Sequence, residues 1–280
     1  MAGTNSVIAN LFSLITELLT QHASTFEAMG LHLFQGFAVI LLVWFGLQAA
    51  LASASGRAAG LPLDRFASLL LTIAFGFAML KYYSHPVPGF GRSFYHLVTD
   101  QSMYLANQLS LSTAQELDQR LNAIYDGMSL PTLALSVIEI IHYVVVCLCI
   151  LAAEAALTFV LSFGYIAMAI GVLTGPVFIP FFIVPQMEWL FWGWLKFFLQ
   201  YSFYPVIAYA YLFVFGNLLI HVVDAHPPPY DGVWMTLFFF PLVCLLLAFT
   251  VGITKIPALV SSVFSGRAGD SVLPRVEGWL

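Results

Sequence analysis

PTLALSVIEIIHYVVVCLCILAAEAALTFVLSFGYIAMAIGVLTGPVFIPFFIV, residues Pro131 to Val184, is the stretch that decides the fold. It runs 54 residues without Lys or Arg and carries two acidic side chains, Glu139 and Glu154. A helix crosses a bilayer core with about 20 apolar residues, so this run is too long for one simple crossing. A soluble helix is apolar along one stripe, not all round. The run therefore makes the chain an integral membrane protein. Its clearest punctuation comes late, at Gly175-Pro176, and Gly193-Trp194-Leu195 follows soon after.

The whole chain agrees. It is 61% hydrophobic and 8% charged, against about 25% charged in soluble domains. A net charge of -5, thinly spread, supplies no basic patch for direct nucleic-acid binding. Cys147 and Cys149 point about 200° apart on a helix, and with Cys244 they form no disulfide framework. They read as small packing residues. No positive region precedes the first apolar residues, which argues against a cleaved signal peptide.

Five segments follow from the pattern. Residues 1–30 form an amphipathic helix, with Val7, Leu11, Leu14 and Leu18 at 3 and 4 spacing and Ser6, Ser13, Glu17 and Thr20 on other faces. Without basic residues before Arg57, packing in an assembly suits it better than lying on a lipid surface. Residues 31–83 are a transmembrane pair, about Leu31–Ala52 and Phe66–Tyr82, with Lys81, Tyr82 and Tyr83 marking an interface end. Residues 84–130 are polar and helical, from about Ser93 to Leu109 and again after the capping box Thr113-Ala114-Gln115-Glu116. Residues 131–254 are a transmembrane block with the Gly-Pro break, in which 197–222 and 233–254 read as further spans. Trp189, Trp192 and Trp194 resemble an aromatic belt. Residues 255–280 are a tail carrying Lys255, Arg267 and Arg275, which the positive-inside rule assigns to the cytoplasm.

The expected fold class is all-α, a polytopic helical membrane protein with five or six transmembrane helices. Five crossings follow if Pro131–Val184 crosses once, and they put the N-terminus and residues 84–130 outside. Six follow if it crosses twice, and both termini then face the cytoplasm.

Several polar groups lie at membrane depth. Glu139 and His142 share a helical face, and Glu154 falls within about 60° of Glu139. Such groups face a bundle interior, a water-filled passage or one another, so they read either as a polar seam or as a paired set fixing helix packing. One Glu-x-x-His motif is too little for a di-iron centre. Gly171 and Gly175 form a small-xxx-small pair suited to close helix approach. Gly175-Pro176, with Pro180 and Pro185 after it, reads as a kink or a re-entrant turn. No phosphate loop, nucleophile elbow or zinc-binding helix is present in the sequence. No enzyme chemistry, metal or cofactor is expected.

Leu173-Thr174-Gly175-Pro176-Val177-Phe178-Ile179, then Gly193-Trp194-Leu195, then Ile256-Pro257-Ala258-Leu259 with Ser261, Ser262, Ser265 and Gly266, resemble the TrbL/VirB-six family. These are polytopic inner-membrane subunits of bacterial type IV secretion and conjugation machines. One departure is Arg267, where the family's tail carries a second glycine. The resemblance implies a multi-pass protein of the bacterial inner membrane with a periplasmic N-terminus and central section and a cytoplasmic tail. It also implies an oligomer in membrane lipid, at the base of a stalk or channel passing DNA or protein. Its partners would be a stalk or pilus-tip protein, the inner-membrane complex and ATPases.

On this reading Gly175, Pro176 and Trp194 shape the membrane block, and residues 92–126 form the partner surface, with Phe94, Leu97, Leu117, Leu121 and Ile124 as contact candidates. Glu139, His142, Glu154 and Gly171 complete the structural or channel candidates. The alternative function is a small-solute transporter using the Gly175-Pro176 break and Glu139 as its site.

Overall fold

The computed structural model describes residues 2–54, 63–109, 137–225 and 232–265, without the side chains of 2–9, 11, 12, 16, 18–20, 138, 139, 223, 232–238 and 265. Among the described residues the regular structure is helical. The helices are α1 (Ala2–Ala54), α2 (Leu63–Lys81), α3 (94–109), α4 (Val137–Phe178), α5 (Glu188–Ser202), α6 (Tyr204–Asp224), α7 (Gly232–Thr254) and α8 (Ile256–Ser265). A 3₁₀ turn, Ile179–Ile183, follows α4.

Two findings bear on the segments read from sequence. The amphipathic stretch and the first span are one continuous helix, α1, with no break near residue 30. The long apolar run is also one helix. At 42 residues and 1.5 Å per residue, α4 is about 63 Å long, roughly twice the thickness of a bilayer core. An unbroken helix cannot cross twice, so the six-crossing alternative falls away. Four described helical segments are long and apolar enough to cross a membrane, Gln21–Ala54, Leu63–Lys81, Ile140–Ile183 and Glu188–Val222. The bent pair Phe239–Thr254 and Ile256–Phe264, angled at 42°, makes a fifth if it counts as one span. Pro257 cannot donate to the carbonyl four residues back, and it disfavours helical backbone at Ile256, which accounts for the bend.

The chain divides into two compact units. The first comprises residues 1–12, 102–165 and 203–280. Here α6 packs against α7 and α8 around buried Val146, Ile150, Leu219, Leu246, Ile253 and Val260. Tyrosines fill the glycine gaps. A side chain at Gly164 would overlap the Tyr204 ring, and one at Gly252 would overlap Tyr211, whose hydroxyl donates to the Phe249 carbonyl at 3.0 Å.

The second unit comprises residues 13–101 and 166–202. Phe34 meets Phe77 at 6.1 Å and Phe45 meets Phe66 at 5.5 Å, so α1 and α2 run antiparallel. The 3₁₀ turn packs on both, through Phe37–Phe181 at 5.3 Å and Phe75–Phe182 at 5.7 Å. The core is Phe34, Leu80, Tyr83, Ile179, Ile183, Phe191, Trp194 and Phe198. Large apolar side chains outside it stay exposed along whole helix faces, among them Val39, Ile40, Val43, Leu47, Leu51, Leu71 and Phe75. Water tolerates no such continuous apolar surface, whereas lipid covers it without cost.

Candidate functional site

The predicted break sits at the C-terminal end of α4, inside the second unit. Pro176 lies within the helix, which continues to Phe178 before tightening to 3₁₀. The chain turns only at 184–187, where the Met187 N–H donates to the Val184 carbonyl at 2.9 Å. The punctuation is therefore a helix end rather than a mid-span interruption.

What the prolines do follows from the helical bonding rule. The N–H of residue i donates to the carbonyl of i−4. Pro176 has no N–H, so the Val172 carbonyl loses its donor. A buried acceptor left unpaired costs about 1–3 kcal/mol. The fold answers at Val172. The Tyr83 hydroxyl donates to the Val172 carbonyl at 2.6 Å. One residue earlier the Trp194 indole N–H donates to the Gly171 carbonyl at 2.9 Å. At the Pro176 carbonyl the backbone of α1 closes in, so near that a Cβ on Gly30 would overlap the oxygen.

The glycines have unequal roles. A Cβ at Gly175 would overlap the Tyr83 ring and hydroxyl, so the Tyr83 bond requires glycine there. A Cβ at Gly171 would stand 3.4 Å from Phe198 Cα, an ordinary contact. Tyr83 and Trp194 are 2% and 4% exposed. Their rings lie 6.2 Å apart, and Trp194 stacks on Phe198 at 5.6 Å. Trp194 therefore leaves the expected aromatic belt, because its N–H is used inside the core. Trp189 and Trp192 remain exposed, and Trp192 donates to Glu188 at 2.6 Å.

Tyr83 is held by the segment after α2. The N–H groups of Phe94 and Tyr95 donate to the carbonyls of Tyr82 and Tyr83 at 2.9 and 3.4 Å. The intervening turn has Gly89 and Gly91 at φ of 91° and 66°, a region open to glycine. Arg92 pairs with Asp100, and His96 lies 3.3 Å from the same carboxylate. Burial pushes the Tyr83 phenol well above its ordinary range, and Tyr95 and Glu27 add to this. Tyr95 is also raised, by burial and then by the charges of Asp100 and Glu27. A cavity of about 20 Å³ among Glu27, Tyr83, Ser84, Tyr95, Val172 and Pro176 has room for a water molecule and nothing larger.

The structure thus brings Gly171, Gly175, Pro176 and Trp194 together around Tyr83. Glu139, His142 and Glu154 belong to the other unit. The His142 ring lies 4.1 Å from that of Phe239. Glu154 is half-buried, with its backbone carbonyl accepting from Thr158 at 2.9 Å. Glu139 lies on α4, with its side chain outside the described residues. No group of three potential metal ligands is present among the described residues. Phe94 packs against the core of its own unit and Leu97 is half-buried, while the exposed apolar side chains on α3 include Tyr104 and Leu105. Leu117, Leu121 and Ile124 lie outside the described residues.

Sequence reasoning treated Tyr83 as an interface marker and passed over Gly30. The proline rule did predict carbonyls in need of donors, but which donor arrives is a tertiary fact.

A chain of long, apolar helices with exposed apolar faces, whose proline-freed Val172 carbonyl is paired by a buried tyrosine, is a polytopic α-helical membrane protein. Residues 38–254 match the TrbL/VirB6 plasmid conjugal transfer protein family, and the chain belongs to that family. Membership makes it a subunit of type IV secretion or conjugal transfer machinery. No curated protein matches the chain significantly.

Proposed function

We propose that this chain is a structural and translocation subunit of the bacterial inner membrane, helping to form the channel or the base of the stalk and pilus through which DNA and protein pass. The carrying observation is the family match, which runs from the last third of α1 to the end of α7. On this reading the chain works as an oligomer beside other secretion subunits, and partner ATPases supply the energy. The closed Tyr83–Trp194 seam gives α4, α5 and the α1–α2 pair a fixed geometry for assembly. Residues 92–126 are the partner-facing section, the N-terminus is periplasmic and the tail cytoplasmic.

Over a solute transporter, this reading is favoured by the small space beside Pro176, about 20 Å³, where substrate pockets run to about 300–1,000 Å³. The test is crosslinking to translocating substrate in donor cells with and without this protein. Substrate crosslinks and pilus assembly lost together support the proposal. Intact transfer in a deletion strain, with solute uptake by the purified protein in liposomes, would overturn it.

A further inference from the structure

A second feature of the α1–α2 pair lies beside the seam. An open groove of about 540 Å³ lies between them, lined by Glu27, Leu31, Phe77, Leu80, Lys81, Tyr82, His85 and Pro86. Its volume is that of a small-molecule site. The lining is graded along the helices. Charged and polar groups, Glu27, Lys81 and His85, sit where the span Gln21–Ala54 begins and the span Leu63–Lys81 ends. Because the helices are antiparallel, Leu31 on α1 and Phe77 on α2 lie about a turn deeper, with buried Leu80 beside them. A polar rim above an apolar floor matches the gradient of a phospholipid.

The charges go further than that. Lys81 Nζ stands 5.9 Å from the Tyr82 ring centroid, and among the described residues it forms no ion pair with Glu27. The groove therefore presents one cation, one carboxylate and an imidazole, each open to a ligand. Anionic lipids are drawn to clusters of Lys and Arg, which this rim lacks, and Glu27 opposes a second negative charge. A zwitterion satisfies both signs.

We propose that the groove holds a zwitterionic glycerophospholipid with a primary-amine head group. Lys81 and His85 take its phosphate, the Glu27 carboxylate accepts from its ammonium, and an acyl chain lies over Leu31, Phe77 and Leu80. A primary ammonium donates hydrogen bonds to a carboxylate, which choline cannot do. The site thus selects ethanolamine over choline lipids through Glu27, and glycerophospholipids in general through Lys81.

The test is native mass spectrometry of the full-length protein in mild detergent. It is offered equal amounts of phosphatidylethanolamine, phosphatidylcholine and phosphatidylglycerol with matched acyl chains. Wild type retains the ethanolamine lipid in preference to both others. Glu27→Gln removes the preference over choline. Lys81→Gln lowers retention of all three about fivefold, the scale of one basic residue at a lipid surface. Lys196→Gln, outside the groove, changes nothing. Equal retention of choline or glycerol lipids by wild type, or an undiminished preference in Glu27→Gln, overturns the proposal. Should a variant fail to fold, a photoactivatable ethanolamine lipid on the wild-type protein decides. Labelling between Phe77 and Pro86 supports the site, and labelling confined to other segments refutes it.

Discussion

Tyr83→Phe deletes one oxygen and leaves the ring, so it isolates the bond that replaces the donor Pro176 lacks. The Val172 carbonyl accepts that bond at 2.6 Å, and Tyr83 is 2% exposed, so bulk solvent does not reach it. The cost is that of a buried unpaired acceptor, about 1–3 kcal/mol. Pro176→Ala restores a backbone N–H at the position that donates to Val172 in a regular helix. In that background the carbonyl has a second partner, and Tyr83→Phe should cost less than half as much, a coupling of at least about 0.5–1.5 kcal/mol. The assay is SDS-induced unfolding from mixed micelles for wild type, both single variants and the double variant. Equal costs of Tyr83→Phe in both backgrounds would refute the reasoning, since the hydroxyl would then be stabilising something other than the proline-freed carbonyl.

Gly175→Ala should destabilise by about 2 kcal/mol, because overlap with Tyr83 outweighs the roughly 1 kcal/mol of helix propensity gained. Gly171→Ala has room and should stay within about 0.5 kcal/mol of wild type; equal effects in the same unfolding assay would contradict the packing. Burial raises the Tyr83 phenol first, and Tyr95 and Glu27 add to the shift. The native state thus holds a proton that the unfolded chain releases near pH 10. That stability is full below about pH 10 and is lost as pH rises further, so Tyr83→Phe should flatten the alkaline decline measured by thermal unfolding across pH 8–12. Single cysteines placed at Asn107 and Ser271 should label from opposite sides of the membrane under five crossings. Labelling from the same side would reject that topology.

Much of the architecture was legible because hydropathy acts locally. The Pro131–Val184 run announced the membrane, and the spans near Leu31–Ala52 and Phe66–Tyr82 lie on α1 and α2. The mixed helix read over Ser93–Leu109 is α3. The Gly175-Pro176 signal was visible, but its meaning was not. Proline marks a missing donor without saying whether the helix breaks, re-enters or is repaired. The joining of residues 1–30 to the first span was equally hidden, since a change of amphipathicity along a helix need not interrupt its hydrogen bonds.

The sequence by itself determined that this is a helical membrane protein, and its Gly-Pro and Gly-Trp motifs carried the family resemblance that the match over residues 38–254 bears out. Composition and periodicity are properties of neighbouring residues, and the bilayer reads them directly. Only the tertiary structure decided that α4 is one unbroken helix, that Trp194 turns inward, and that Tyr83, 89 positions before Val172, supplies the missing donor. Such pairings depend on which helices meet and at what height, and no local pattern encodes that.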